Sequence, residues 1–148
     1  MSAELCKERV AANFSRYAIT YDSYAEEQRA VAMALAEYAA QCADGLVAGP
    51  VLEIGCGTGF LSAELAALFP DREVELTDLS PEMVASCRRK IAARGIEHPD
   101  IRYAVLDGEQ LACEDRYALI AASFAVHWFV DLGMGLSRLL RALKPGGY

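Results

Sequence analysis

Apolar and polar positions along this chain alternate between strand-like and helix-like periods. Val51-Leu52-Glu53-Ile54 is a short apolar run that enters the turn Gly55-Cys56-Gly57-Thr58-Gly59, and Phe60, Leu61, Leu65 and Leu68 then recur at helical spacing until Pro70. The sequence repeats this unit. Glu73 to Thr77 alternates with Val74 and Leu76 inward, Asp78 follows, and Ser80-Pro81-Glu82 opens a helix with a cap, a proline at its first position and an acid against its dipole. Met83, Val84, Cys87 and Ile91 are the buried stripe expected of that helix, which Gly95 ends. Ile101 to Leu106 reads as a third strand, followed by Asp107-Gly108-Glu109, and Tyr117 to Ala122 as a fourth, apolar enough for a fully buried position. Ser123 to Val130 reads as an aromatic-rich loop or short helix. Asp131 to Leu143 then forms a helix with Leu132, Leu136, Leu139, Leu140 and Leu143 expected inward, its first turns weakened by Gly133 and Gly135. Lys144-Pro145-Gly146-Gly147 is a turn.

Upstream of these repeats the pattern is helical. Ser2 can cap a helix from Glu4 to about Arg16, and a second helix is expected from about Ser23 to Cys42. Its stripe is Tyr24, Gln28, Val31, Leu35, Tyr38 and Cys42. Between them lies an aromatic passage, Phe14 to Tyr24, with Tyr17, Tyr21 and Tyr24 close together. Strands alternating with helices imply an α/β fold with a doubly wound parallel sheet. Such sheets bind ligands beyond the C-terminal ends of their strands. Gly55 to Gly59, Asp78, Asp107 and Ser123 all fall on that edge. Residues 1–45 read as an N-terminal helical segment and 46–148 as the ligand-binding unit.

Composition narrows the classes. A length of 148 residues suits one domain, and 54% apolar with 24% charged residues is ordinary for a globular chain. A net charge of −7 argues against a nucleic-acid surface. No apolar run has membrane-span length and the N-terminus lacks a signal-peptide pattern, so a cytoplasmic location is expected, with no membrane partner. Five scattered cysteines without a C-x-x-C argue against a disulfide framework and against a metal site.

The glycine turn carries the chemistry. Strand, tight turn and helix start bring backbone N–H groups to a ligand. A dinucleotide fingerprint is G-x-G-x-x-G, whereas this turn is G-x-G-x-G and Phe60 stands where the third glycine would fall. A ring there disfavours a pyrophosphate and suits an adenosine bearing an amino-acid tail. A turn with no ligand is the plain alternative. Asp78 can accept both hydroxyls of a ribose, or can simply serve the helix start near Ser80. Glu53, a carboxylate in a buried strand, needs a partner in any case.

The run Val51 to Gly59, with Glu53 before the glycines, resembles the first motif of class I S-adenosylmethionine-dependent methyltransferases, a Rossmann-like family. The resemblance implies S-adenosyl-L-methionine as cofactor. It implies a donor site at Glu53, Gly55, Cys56, Gly57, Gly59, Asp78, Leu79, Asp107, Gly108 and Ser123. Asp107 would accept from the adenine amino group with the Gly108 N–H beside it; a turn aspartate before glycine is the alternative. Within that family, Phe14 to Gln28, Ser123-Phe-Ala-Val-His-Trp-Phe129 and Leu140 to Gly147 resemble the malonyl-acyl-carrier-protein O-methyltransferases of biotin synthesis. The implied partner is a malonyl thioester on acyl carrier protein or CoA, and the resemblance implies that the N-terminal helical segment, residues 1–45, is a lid. Tyr21 would lie near the acceptor carboxylate as the catalytic residue, with core packing as its alternative, and His127 and Trp128 would meet the substrate. His127 stands where the family pattern has glutamine, and a structural histidine is the alternative there. The run Arg88-Arg89-Lys90 with Arg94 suits an acidic carrier protein or simply a solvated helix face. The family's sheet has seven strands, and the sequence stops where the fifth is expected, leaving the fourth as an apolar edge. Other readings are a same-fold methyltransferase acting on another small molecule and a non-catalytic donor-binding protein. A nicotinamide oxidoreductase is disfavoured by Phe60 and by the lack of a Tyr-x-x-x-Lys motif.

Overall fold

The computed structural model describes residues 7–13 and 26–148. Residues 7–13 are helical and form α1. The order continues α2 (Glu26–Ala43), β1 (Val51–Ile54), α3 (Phe60–Leu68), β2 (Val74–Asp78), α4 (Pro81–Ala93), β3 (Ile101–Val105), a 3-10 turn (Gly108–Gln110), β4 (Leu119–Ala122), a second 3-10 turn (Val126–Trp128) and α5 (Leu132–Ala142). The four strands form one parallel sheet in the order β3-β2-β1-β4. No described helix is long and apolar enough to cross a membrane. The expected doubly wound α/β sheet is therefore the observed one.

β1 is central, and all four of its residues are buried. Its pleat sends Val51 to the face covered by α2, α3 and α4, together with Leu61, Leu65, Cys87 and Ile91. Leu52 and Ile54 go to the other face, with Leu111, Leu139 and Ala142. Arg72 fixes the approach to β1 by donating to the carbonyls of Val47 (2.6 Å), Leu46 (3.1 Å) and Gly49 (3.2 Å). β4 is shorter than the run Tyr117 to Ala122, and Tyr117 instead forms an isolated parallel bridge to Leu143. On its outer side the Tyr148 N–H donates to the Ala118 carbonyl (3.0 Å), and the Ile120 N–H donates to the Tyr148 carbonyl (2.8 Å).

Two helix faces differ from the expected ones. In α2 the buried positions are Ala32 and Ala39, while Val31 and Tyr38 are exposed. α2 lies against α3, and small residues let two helix backbones come close where valine and tyrosine would hold them apart. In α5 the inward face is Gly135, Leu139 and Ala142, and Leu132, Leu136 and Leu140 are exposed. Gly135 sets this rotation, because the Phe129 ring packs where its Cβ would be, 2.3 Å from Cδ2.

The turn after β1 requires glycine for two separate reasons. Gly57 (φ 52°) and Gly59 (φ 95°) are both left-handed, but only Gly59 is also crowded, with a Cβ placed 3.1 Å from the Cys87 Cα of α4. Gly57 has open space around it. Gly59→Ala is expected to lower stability by about 2–4 kcal/mol and Gly57→Ala by about 1 kcal/mol, read from urea unfolding midpoints. Equal losses would mean that contact with α4 does not matter.

Candidate functional site

The C-terminal edge of the sheet lines a cavity. Its floor is the β1 turn, which β2 holds in place. The Cys56 N–H donates to the Thr77 carbonyl (2.8 Å), and the Thr77 hydroxyl donates to the Glu53 carbonyl (2.6 Å). Asp78 completes the join. Its Oδ2 accepts from the Gly57 N–H and its Oδ1 from the Ser80 N–H, each at 2.9 Å. The same carboxylate thus shapes the glycine turn and starts α4, where the Ser80 hydroxyl accepts from the Met83 N–H. Burial pushes the Asp78 carboxyl up from its ordinary range, and the backbone donors partly offset this.

Glu53 is 1% exposed and still reaches the cavity wall. The Ser62 hydroxyl of α3 donates to its Oε2 at 2.5 Å. Burial pushes its pKa up to about 8, against the pull of Ser62, and the nearby Asp78 charge adds to the rise. This strand acid is therefore mostly protonated at neutral pH in the free chain.

The β3 side is built from Asp107 and the 3-10 turn after it. Asp107 caps that turn by accepting from the Glu109 N–H at 3.1 Å, and Gly108 lies so close to β1 that a Cβ would sit 2.4 Å from Ile54 Cγ2. From the β4 side, Ser123, Phe124 and Ala125 close the wall, and the Ala125 Cβ packs 2.4 Å from where a Gly55 Cβ would stand. Phe124 is left-handed at φ 52°, an unusual state for a bulky side chain.

Of the residues expected at the donor site, all but Gly59 line this cavity, and Gly59 faces Cys87 instead. Trp128 is on the wall. His127 is not; its ring packs against Trp128, with centroids 5.0 Å apart, and edge-on to Phe124. Tyr21 lies outside the described residues. Phe60 lines the cavity, its ring flanked by Arg29 and by Lys90, whose Nζ is 3.5 Å from the centroid.

Several wall residues had not been singled out in the sequence: Lys7 and Val10 of α1, Gln28 and Ala32 of α2, Phe124 and Phe129. The two phenylalanines belong to the aromatic run already marked, and Gln28 was the one polar member of an apolar stripe. Lys7 carried no local signal. Its ammonium pairs with Asp107 (2.6 Å) and Glu109 (2.5 Å), about a hundred positions away in sequence. Among the described residues the acidic and basic side chains on the wall are Glu53, Asp78, Asp107 and Lys7. Such a wall suits a ligand that brings hydroxyls, amines and positive charge.

A parallel sheet with a glycine turn, an acid at the end of β2 and another just past β3 is the architecture of the α/β domains that bind ligands at this edge. Residues 51–147 match the family model described as a methyltransferase domain, so this chain belongs to the methyltransferase-domain family. Among curated relatives, the biotin biosynthesis bifunctional protein BioCD of Bordetella avium is 42% identical over 94% of this chain and 29% of its own length. Malonyl-[acyl-carrier protein] O-methyltransferase 1 of Ilyobacter polytropus is 34% identical over 95% of this chain and 50% of its own. The chain thus spans half the length of these relatives or less. Among solved structures, a proposed S-adenosyl-L-methionine-dependent methyltransferase of Methanococcus maripaludis superposes with a TM-score of 0.73 at 27% identity, over 90% of this chain and 60% of that one.

The raised Glu53 pKa has a consequence for stability. Between the ordinary carboxylate value of 4.5 and about 8, the folded chain holds a proton that the unfolded chain has released. Stability therefore falls as pH rises through that window, by at most about 1.4 kcal/mol per pH unit from this group. Glu53→Gln keeps an oxygen for Ser62 and cannot ionise. Urea unfolding from pH 5 to 8 is expected to show a shallower decline for this variant than for the parent. Parallel curves would place the Glu53 pKa in its ordinary range.

Proposed function

We propose that this chain is the donor-binding part of a methyltransferase that esterifies the free carboxylate of a malonyl thioester, using S-adenosyl-L-methionine. The observation that carries the reading is the convergence of Glu53, Asp78 and Asp107 on one cavity beside the β1 turn. The names of the Bordetella and Ilyobacter relatives support the acceptor assignment.

Bound S-adenosyl-L-methionine would supply an electrophilic methyl on a sulfonium. The chain's own residues do the rest. Asp78 would accept from the ribose hydroxyls with the lone pairs that the Gly57, Leu79 and Ser80 N–H groups leave free, and Asp107 would accept from the adenine amine. Glu53 would face the ammonium of the amino-acid tail, whose charge would favour release of the Glu53 proton to solvent. The ring of Phe60 on the cavity wall would disfavour a pyrophosphate there. A malonyl carboxylate is ionised at neutral pH, so no general base is required. The chemistry the donor would supply is transfer of its methyl to a carboxylate oxygen, with the neutral sulfide as the leaving group and an ester as the product. Tyr21 would orient and partly desolvate that carboxylate, with Trp128 and His127 on the acceptor side. Helices α1 and α2 would serve as the lid. The thioester is carried on acyl carrier protein or CoA, and the cationic face of α4 suits the acidic carrier.

Calorimetric titration with S-adenosylhomocysteine is expected to show micromolar binding, with none for NAD. Asp78→Ala should weaken it by about tenfold or more, the worth of one charge-assisted hydrogen bond. Affinity should also rise with pH from 6 to 8, as Glu53 gives up its proton more readily. A folded chain that binds neither compound, or NAD alone, would refute the donor-site reading. In a protein that contains this chain and methylates malonyl carrier protein, Tyr21→Phe should slow turnover by about tenfold without changing donor affinity. An unchanged rate would remove Tyr21 from the acceptor site.

A further inference from the structure

Lys7 connects two carboxylates that differ in how firmly they are held. Glu109 is 5% exposed and heavily bonded. Its Oε1 accepts from the Asp131 N–H (2.7 Å), and its Oε2 from the Val130 N–H (3.0 Å) and from Lys7 (2.5 Å). Its carbonyl accepts from Arg138 of α5 at 2.6 Å. These donors outweigh the effect of burial and hold its carboxyl below the ordinary range. Asp107 is less constrained. Its Oδ1 accepts from the Glu109 N–H at 3.1 Å, while its Oδ2 faces Lys7 at 2.6 Å. Asp107 is on the cavity wall and Glu109 is not. The ammonium of α1 therefore spans a fixed carboxylate outside the cavity and an exchangeable one on its wall.

We propose that Lys7 is a positioning residue that changes partners: it bridges Asp107 and Glu109 in the free chain, then yields Asp107 Oδ2 to the exocyclic amine of a purine while staying on Glu109. This deepens the donor-site reading and rests on it. An ammonium between two carboxylates can leave one without becoming unpaired, so the hand-over does not strand a charge. Helix α1 then stays docked over the cavity in both states. The arrangement also tunes base preference. A 6-amino purine must compete with Lys7 for Asp107. A 6-oxo purine brings an acceptor that Asp107 repels and that the Lys7 ammonium can satisfy. Lys7 therefore narrows the difference between the two bases.

The test is titration of the 148-residue chain and two variants, each shown to be folded by circular dichroism, with S-adenosylhomocysteine and its deaminated analogue S-inosylhomocysteine. Lys7→Met is expected to raise the preference for the amino base by about tenfold, one charge-assisted hydrogen bond's worth. Glu109→Gln, which leaves Lys7 with Asp107 as its remaining anionic partner, should lower that preference. A strut that merely holds α1 would change both affinities by the same factor, so an unchanged ratio in Lys7→Met overturns the proposal. Amide exchange over residues 7–13 gives a second readout. Protection should persist when the parent chain is saturated with S-adenosylhomocysteine and should fall in both variants without ligand. Loss of protection on saturation would overturn the hand-over while leaving the donor site intact. Failure of the folded parent chain to bind S-adenosylhomocysteine would overturn the donor-site reading itself.

Discussion

The working edge of this sheet depends on how closely backbone can approach backbone around the end of β1. At three positions there a Cβ would meet a neighbour, as a clash at Gly55 and Gly108 and as a tight contact at Gly59. Gly55 is filled from one side by Ala125, Gly59 by Cys87 of α4, and Gly108 by the side chain of Ile54. Each contact draws a different element toward β1: the loop after β4, the helix after β2 and the turn after β3. The cavity is the space left between them. Thr77 and Asp78 then lock the arrangement by hydrogen-bonding the turn from β2. A side chain at any of these glycines would act on the walls of the site and not only on the local turn.

Electrostatics follows from the same packing. Glu53 sits in a fully buried strand because the period of β1 turns it toward α3, where Ser62 meets it. Burial of a carboxyl in that position favours its neutral form, and only a cation arriving in the cavity would reverse the preference. Asp78 is less extreme because the backbone N–H groups of Ser80, Gly57 and Leu79 compensate it. The free chain thus keeps part of its acidity in reserve, close to where a positively charged ligand would lie.

What the sequence made legible was local. The strand-turn-helix at Val51 to Leu68, the capped start of α4 and the acids ending β2 and preceding the 3-10 turn all follow from spacing within a few residues. The inward faces of α2 and α5 were not legible in the same way. Hydrophobicity ranks valine, tyrosine and leucine above alanine and glycine, but close packing selected Ala32, Ala39 and Gly135. The partnership of Lys7 with Asp107 and Glu109 was invisible for another reason. It joins the two ends of a long chain segment, and a single lysine in a polar helix has no pattern of its own. Phe60 lay between these extremes: spacing marked it as a ring where a glycine might stand, but its flanking by Arg29 and Lys90 required the helices to be in place.

Phe124 illustrates a tension within such a site. Its left-handed backbone costs about 1–2 kcal/mol relative to an ordinary conformation, and glycine would relieve this. Glycine would also remove the ring of this exposed residue from the cavity wall. Thermodynamic improvement and retention of a shaped wall thus pull in opposite directions at one residue. Mutational drift toward greater robustness would erode the site here first, and a design that sought only a sturdier fold would discard this phenylalanine early.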